Sequence, residues 1–242
     1  IAAKEAGQLK KYIQAHPEIT DVLITGGDPL VMKTKNLRAH IEPLLELEQI
    51  RTIRIGSKAL TFWPYRVVSD DDAEDLLDLF REVQASGKHL ALMAHYNHWQ
   101  ELETDIAKEA IRRVRATGAV IRAQGPLLAH INDNADDWAR LWQTQVELGI
   151  VPYYMFVERD TGARHYFEVP LAKAWEIYRD AMKQVSGIAH LVPKQSQVPQ
   201  EGQRCRSAAQ ICRFTVFQPA PVSDRKSAIA PATNDQCDGA TL

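Results

Sequence analysis

The chain is poor in cysteine: Cys205, Cys212 and Cys237 are its only three, all within the last 40 of its 242 residues. An odd number with no close-set pair argues against a disulfide framework and fits a reducing, cytoplasmic setting. The gap from Cys205 to Cys212 matches no common zinc or iron–sulfur spacing, so the sequence displays no metal site of its own. Neither sign of charge dominates. A net charge of -2 removes the polyelectrolyte case for nucleic acid or acidic membranes. No apolar run approaches the roughly 18 residues of a membrane span, and the first residues show no signal-peptide pattern. A glycine-rich phosphate loop of Walker or dinucleotide type is missing, and no Ser–His–Asp spacing stands out. The chain opens at Ile1 without a methionine and directly in a helical pattern, so it is expected to be a fragment or a processed product.

What is present is periodic. Five β-rich runs, at 21–25, 51–56, 89–95, 119–124 and 151–157, alternate with helix-period segments. Spacings of this order suit repeated strand–helix units of a parallel sheet, and a chain of this length suits a single α/β barrel. Several runs are apolar almost throughout, as strands covered on both faces are. Residues 72–86 place Ala73, Leu76, Leu77, Phe80 and Val83 on one stripe and stop at Gly87. Residues 104–117 do the same with Ile106, Ala107, Ala110, Ile111 and Val114, stopping at Gly118. In residues 171–185 the stripe is Leu171, Ala174, Trp175, Tyr178 and Met182, and all of it is predicted to be core. Weaker helical patterns occupy 3–15, 36–48 and 135–148. After about residue 190 neither period is sustained. Residues 191–242 are expected to be an irregular tail, or a stretch that is not the native continuation of the domain.

In such sheets ligands meet the carboxyl ends of the strands. There the polar residues collect. The first strand ends at Gly26-Gly27-Asp28, where glycines admit a close ligand and an acid is ready for a cationic group. The second runs through Arg54 to Ser57 and Lys58, the third ends at His95, Asn97 and His98, and the fourth ends at Gln124, followed by Asn132, Asp133 and Asn134. Glu158, Arg159 and Asp160 close the fifth. His95 and His98 have a metal-like spacing, although loop histidines are more often hydrogen-bonded scaffolding. One of Asn132, Asp133 and Asn134 is expected to cap the helix near 135. An inward Arg54 requires an anion, which points to a carboxylate or phosphate ligand unless the protein supplies one.

Ile24-Thr25-Gly26-Gly27-Asp28-Pro29-Leu30, Ile53 to Ser57, Ala94-His95-Tyr96-Asn97-His98, Gln124 to Asp133 and Val151-Pro152-Tyr153-Tyr154 follow one another at fitting intervals. Together they resemble the lysine 2,3-aminomutase family of radical S-adenosylmethionine enzymes, over about residues 1–190. The resemblance implies a partial (β/α)6 barrel of the TIM-like, radical S-adenosylmethionine type, with its first strand missing from this chain. It also implies a four-iron four-sulfur cluster, S-adenosylmethionine and pyridoxal phosphate, used to migrate an amino group from C2 to C3 of lysine or a related amino acid. Gly26, Gly27 and Asp28 match the turn that receives the methionyl amino group. Asp133 matches the aspartate that holds the substrate's side-chain ammonium. Arg54, Ser57, His95, Asn97 and Gln124 fall at rim positions that touch cofactors.

The family's Cys-x3-Cys-x-x-Cys and the carboxylate-binding arginine after it have no counterpart here. Lys194, in Val-Pro-Lys-Gln-Ser, does not match the Schiff-base lysine segment. The chain alone is therefore expected to be inactive. Two other readings stay open. One is a cluster-free barrel lyase or aldolase using Lys58. The other is a non-catalytic fragment whose bare sheet edge drives self-association into oligomers.

Overall fold

The computed structural model describes residues 2–157, 163–189 and 212–216. In chain order these form α1 (Ala2–Ala15), β1 (Asp21–Gly26), α2 (Thr34–Leu45), β2 (Thr52–Ser57), the short α3 (Ala59–Phe62), α4 (Ala73–Ala85) and β3 (His89–His95). Then come α5 (Asp105–Ala116), β4 (Val120–Leu127), α6 (Ala135–Glu147), β5 (Val151–Val157), the short α7 (Arg164–Phe167), α8 (Leu171–Met182) and β6 (Cys212–Val216). Each strand read from the sequence is present, with ends shifted by at most a few residues.

The six strands form one parallel sheet in the order β5-β4-β3-β2-β1-β6. From β1 to β5 the spatial order follows the chain order without reversal, and each crossover carries a helix. That single winding builds a (β/α) barrel; a doubly wound sheet would reverse direction at a switch point. The fold is a partial TIM-like barrel.

Strand alternation divides the sheet into two faces. Val22, Ile24, Ile53, Ile55, Leu90, Leu92, Ile121 and Ala123 are buried on the helix-covered side. There they meet Leu37, Ile41, Leu76, Phe80, Ile111, Val114, Trp138 and Trp142 in one continuous core. Each such aliphatic side chain contributes roughly 1.5–3 kcal/mol by leaving water. Residues of the opposite parity, among them Arg54, His95, Arg122 and Gln124, are half-buried on the interior face. At Gly125 a Cβ would lie 2.3 Å from the Tyr96 carbonyl oxygen, so only glycine lets β4 run this close to the end of β3.

Two elements differ from the sequence reading. On α8 the buried residues are Ala174, Ile177, Tyr178 and Ala181, while Leu171 and Trp175 are 56% and 58% exposed. The small side chains of Ala174 and Ala181 face inward, and the Tyr178 ring meets Trp142 of α6 at 6.1 Å. Packing against α6 therefore rotates the helix away from the stripe with the largest side chains. Within the stretch that shows no period, residues 212–216 form β6, parallel to β1 from Val22↔Cys212 to Gly26↔Val216. Where the sequence predicts a bare edge on β1, the described residues place a neighbouring strand.

Candidate functional site

At the end of β1 the chain turns at Gly26, whose φ of 140° favours glycine. Asp28 then closes the turn. Its Oδ1 accepts the Leu30 N–H at 3.0 Å and the Ser57 hydroxyl at 2.7 Å, and its Oδ2 accepts the Lys58 N–H at 2.6 Å. The Ser57 oxygen in turn accepts the Ala59 N–H at 2.9 Å. The turns after β1 and β2 are thereby one hydrogen-bonded unit. Arg66 fastens the same unit from below. Its buried guanidinium donates to the Leu30 carbonyl at 2.6 Å, the Met32 carbonyl at 3.1 Å and the Asp72 carboxylate at 2.8 Å. Three of the roughly four acceptor positions of the Asp28 carboxylate are thus filled by the protein. That leaves about one lone pair of the carboxylate for a cationic group.

At the end of β3, His95 Nε2 lies 2.7 Å from Asn97 Oδ1. A carboxamide oxygen can only accept, so Nε2 carries the proton and Nδ1 is left as an acceptor. Burial, reinforced by the Lys58 ammonium, pushes the imidazole below the ordinary histidine range, so the ring is neutral near pH 7. Glu101 ties this loop to its neighbour. One carboxylate oxygen accepts the Asn97 and His98 N–H groups at 2.7 and 3.4 Å, and the other binds Lys58 Nζ at 2.9 Å. Sequence reasoning passed over Glu101. His98 and Glu101 form a reciprocal capping box on the turn Trp99–Leu102, but histidine is not one of the capping residues that mark a helix start in a sequence.

His98 serves a different purpose from His95. Its Nδ1 accepts the Gln100 N–H at 3.3 Å and its Nε2 faces Asp137 at 3.3 Å. Burial pushes Asp137 up, but donation from Trp99, Asn134 and His98 outweighs it and holds the carboxyl below its usual range. The two histidine rings therefore do not form a metal pair. Among the described residues no group of three or more His, Cys, Asp and Glu could hold a metal ion.

On β4, Gln124 stands in register with His95 and with Tyr154 of β5, and its carboxamide oxygen accepts the Tyr154 hydroxyl. The Phe156 ring meets His95 edge-on at 6.2 Å. In the loop that follows, Asn134 caps α6 by accepting the Asp137 N–H at 2.9 Å. Asn132 is buried: it accepts the Leu128 N–H at 2.7 Å and donates to the Asn97 and Pro126 carbonyls at 2.7 and 2.9 Å. Between these two anchors sits Asp133, whose carboxylate holds the ammonium of Lys173 from α8 at 3.1 Å. Burial pushes the Asp133 carboxyl up, but the Lys173 ammonium and backbone N–H groups outweigh it and hold it low.

Arg54 is not at the rim. The register Leu23↔Arg54↔Ala91 puts it mid-strand, and its anion is Asp21: Nε donates to Oδ1 at 2.8 Å, and the terminal nitrogen Nη2 lies equally close to that oxygen but is buried without a hydrogen bond among the described residues. The protein itself supplies the charge that an inward arginine requires. Gly26, Gly27, Asp28 and Ser57 are brought together, and His95, Asn97 and Gln124 form a second group joined to the first through Lys58 and Glu101. Asp133 stands on its own loop, held by α8. Lys58, the amine of the lyase reading, is one half of an ion pair. Glu158, Arg159, Asp160 and Lys194 lie outside the described residues.

The putative L-lysine 2,3-aminomutase of Aquifex aeolicus is 36% identical over 187 residues, 77% of this chain and 49% of that protein. The L-lysine 2,3-aminomutase of Escherichia coli is 32% identical over 185 residues, 76% of this chain and 51% of its own length. The glutamate 2,3-aminomutase of Clostridioides difficile is 28% identical over 178 residues, 74% and 40% of the two chains. The chain thus spans about half the length of these two L-lysine 2,3-aminomutase relatives. No known family profile matches it. A radical SAM methyltransferase from Sphaerobacter thermophilus aligns over 66% of this chain and 56% of its own with a TM-score of 0.37 and 10% identity, a likeness too slight to carry an argument. The resemblance carried by the rim motifs is borne out at family level: over some three quarters of its length this chain is a relative of the lysine 2,3-aminomutases.

Proposed function

We propose that this chain forms the central barrel of an amino acid 2,3-aminomutase, which moves an amino group from C2 to C3 of lysine or a related amino acid. The observation that carries the reading is Asp133. Its carboxylate stands at the carboxyl end of the barrel, between the Asn132 and Asn134 anchors, and already holds a primary ammonium, that of Lys173. A substrate side-chain ammonium would exchange with Lys173 there. When bound, S-adenosylmethionine would supply radical chemistry and pyridoxal phosphate would hold the amino group, while Asp133 would fix the substrate's far end.

The described residues bear on these cofactors unequally. No set of them fits a four-iron four-sulfur cluster, so its ligands are not among them. The Gly26–Asp28 turn, fixed by the Asp28 carboxylate, would offer that carboxylate's remaining lone pair to an amino group of S-adenosylmethionine. His95, neutral and with Nδ1 available, can accept a proton but brings no second cation. The Gln124–Tyr154 pair and Phe156 give the interior face a flat, partly apolar wall suited to a planar ring. The reading extends to a cytoplasmic homo-oligomer acting on a small amino acid, without nucleic acid or membrane partners. No helix among the described residues is long and apolar enough to cross a membrane.

The test is anaerobic turnover of isotopically labelled L-lysine and L-glutamate by the natural full-length protein and its Asp133→Asn variant. Amino-group migration on lysine that falls by about tenfold or more in kcat/KM in the variant supports the reading. Turnover of lysine that is indifferent to Asp133→Asn, or no migration on either amino acid, overturns it.

A further inference from the structure

Two arginines point to the interior face of the sheet, and they are treated differently. Arg54 is paired with Asp21. Arg122 lies on the same face, one strand step below Gln124, with Ile121 and Ala123 on either side of it turned to the core. It stands in register with Met93 of β3 and Val151 of β5, neither of which carries a charge or a strong hydrogen-bond acceptor in its side chain. Its contact among the described residues is the ring of Tyr153, whose centroid lies 5.4 Å from the guanidinium carbon. Such a contact is worth about 0.5–1 kcal/mol and uses none of the five N–H donors. No carboxylate of the described residues pairs with it. A half-buried guanidinium with its fork open is a preformed receptor for a planar or tetrahedral oxyanion.

We propose that Arg122 is an anion-binding residue of the barrel interior. It takes the carboxylate or phosphate of a ligand whose remainder packs against Tyr153, Tyr154 and Phe156. The case for an anionic ligand, which the sequence attached to Arg54, belongs to Arg122. Neutral His95 leaves Arg122 as the nearby positive charge on β3 and β4, which suits one anionic group. Gln124 and Tyr154, about 7 Å along the strand direction, would meet the adjoining part of the ligand. The inference shares its site with the proposed function but needs none of its chemistry, only that an anion enters the barrel.

Isothermal titration of the 242-residue chain with inorganic phosphate, pyridoxal 5′-phosphate and L-lysine tests it, using Arg122→Gln, Arg122→Lys and Arg112→Gln, an exposed control on α5. Far-UV circular dichroism establishes that each variant is folded. At least one probe should bind the wild type, lose about tenfold or more in affinity in Arg122→Gln and be unaffected by Arg112→Gln. Arg122→Lys should fall between, because it keeps the charge without the fork. Dependence confined to the two phosphate compounds identifies a phosphate ligand, and dependence confined to lysine identifies a carboxylate. Equal affinities in wild type and Arg122→Gln, or no binding of any probe, overturn the assignment. Loss of amino-group migration alone would leave it standing.

Discussion

The Ser57 hydroxyl donates to Asp28 Oδ1 at 2.7 Å, and this bond joins the turns after the first two strands. Asp28 thereby holds the main chain of both turns. Asp28→Ala removes the acceptor of the Leu30 N–H, the Lys58 N–H and the Ser57 hydroxyl together, and should cost about 2 kcal/mol. Asp28→Asn keeps one carbonyl oxygen but sets an NH2 against a backbone N–H, and should recover only part of that loss. Urea unfolding of the three proteins measures it. Equal midpoints would show that the turn holds without its carboxylate.

Asp21 and Arg54 form the enclosed ion pair of the interior face. Asp21→Asn leaves a largely buried guanidinium without its counter-charge and should destabilise by about 3 kcal/mol. Replacing both by apolar residues, Asp21→Leu with Arg54→Met, should be much milder than the sum of the single changes, because no orphaned charge remains. A double-mutant cycle in chemical denaturation reads the difference. Additive effects would mean that the two residues act independently.

His95 makes stability depend on pH. Burial, aided by Lys58, lowers its folded pKa below the ordinary value of about 6.5 that it keeps when unfolded. Between those two values the unfolded chain binds more protons than the folded one. Stability therefore rises with pH through the window just below 6.5 and is lost as pH falls through it. His95→Gln should remove this component, so the wild-type and variant unfolding midpoints change relative to each other as pH falls below about 6.5. Parallel pH profiles would refute the assignment to His95.

The strands and the inward stripes of α4 and α5 were legible because local periodicity reports which residues face the core. Leu76, Leu77, Phe80, Val83, Ala110, Ile111 and Val114 are buried where the pattern put them. On α8 the pattern was right for Ala174, Tyr178 and Met182 and wrong for Leu171 and Trp175, which satisfy the same spacing but face away from α6. β6, Cys212-Arg213-Phe214-Thr215-Val216, escaped notice because no helix-period segment flanks it to mark it as one more strand–helix unit.

By itself the sequence determined the order of strands and helices, the rim that gathers Gly26 to Asp28, Ser57, His95, Asn97 and Gln124, and the kinship that those motifs express. Only the tertiary structure decided which charges are already answered. Asp21 meets Arg54, Glu101 meets Lys58, Lys173 meets Asp133, and among the described residues Arg122 meets an aromatic ring without a carboxylate. These pairings join residues 33, 43 and 40 positions apart in the chain. The register between strands and the packing of helices set them, and no local pattern encodes either.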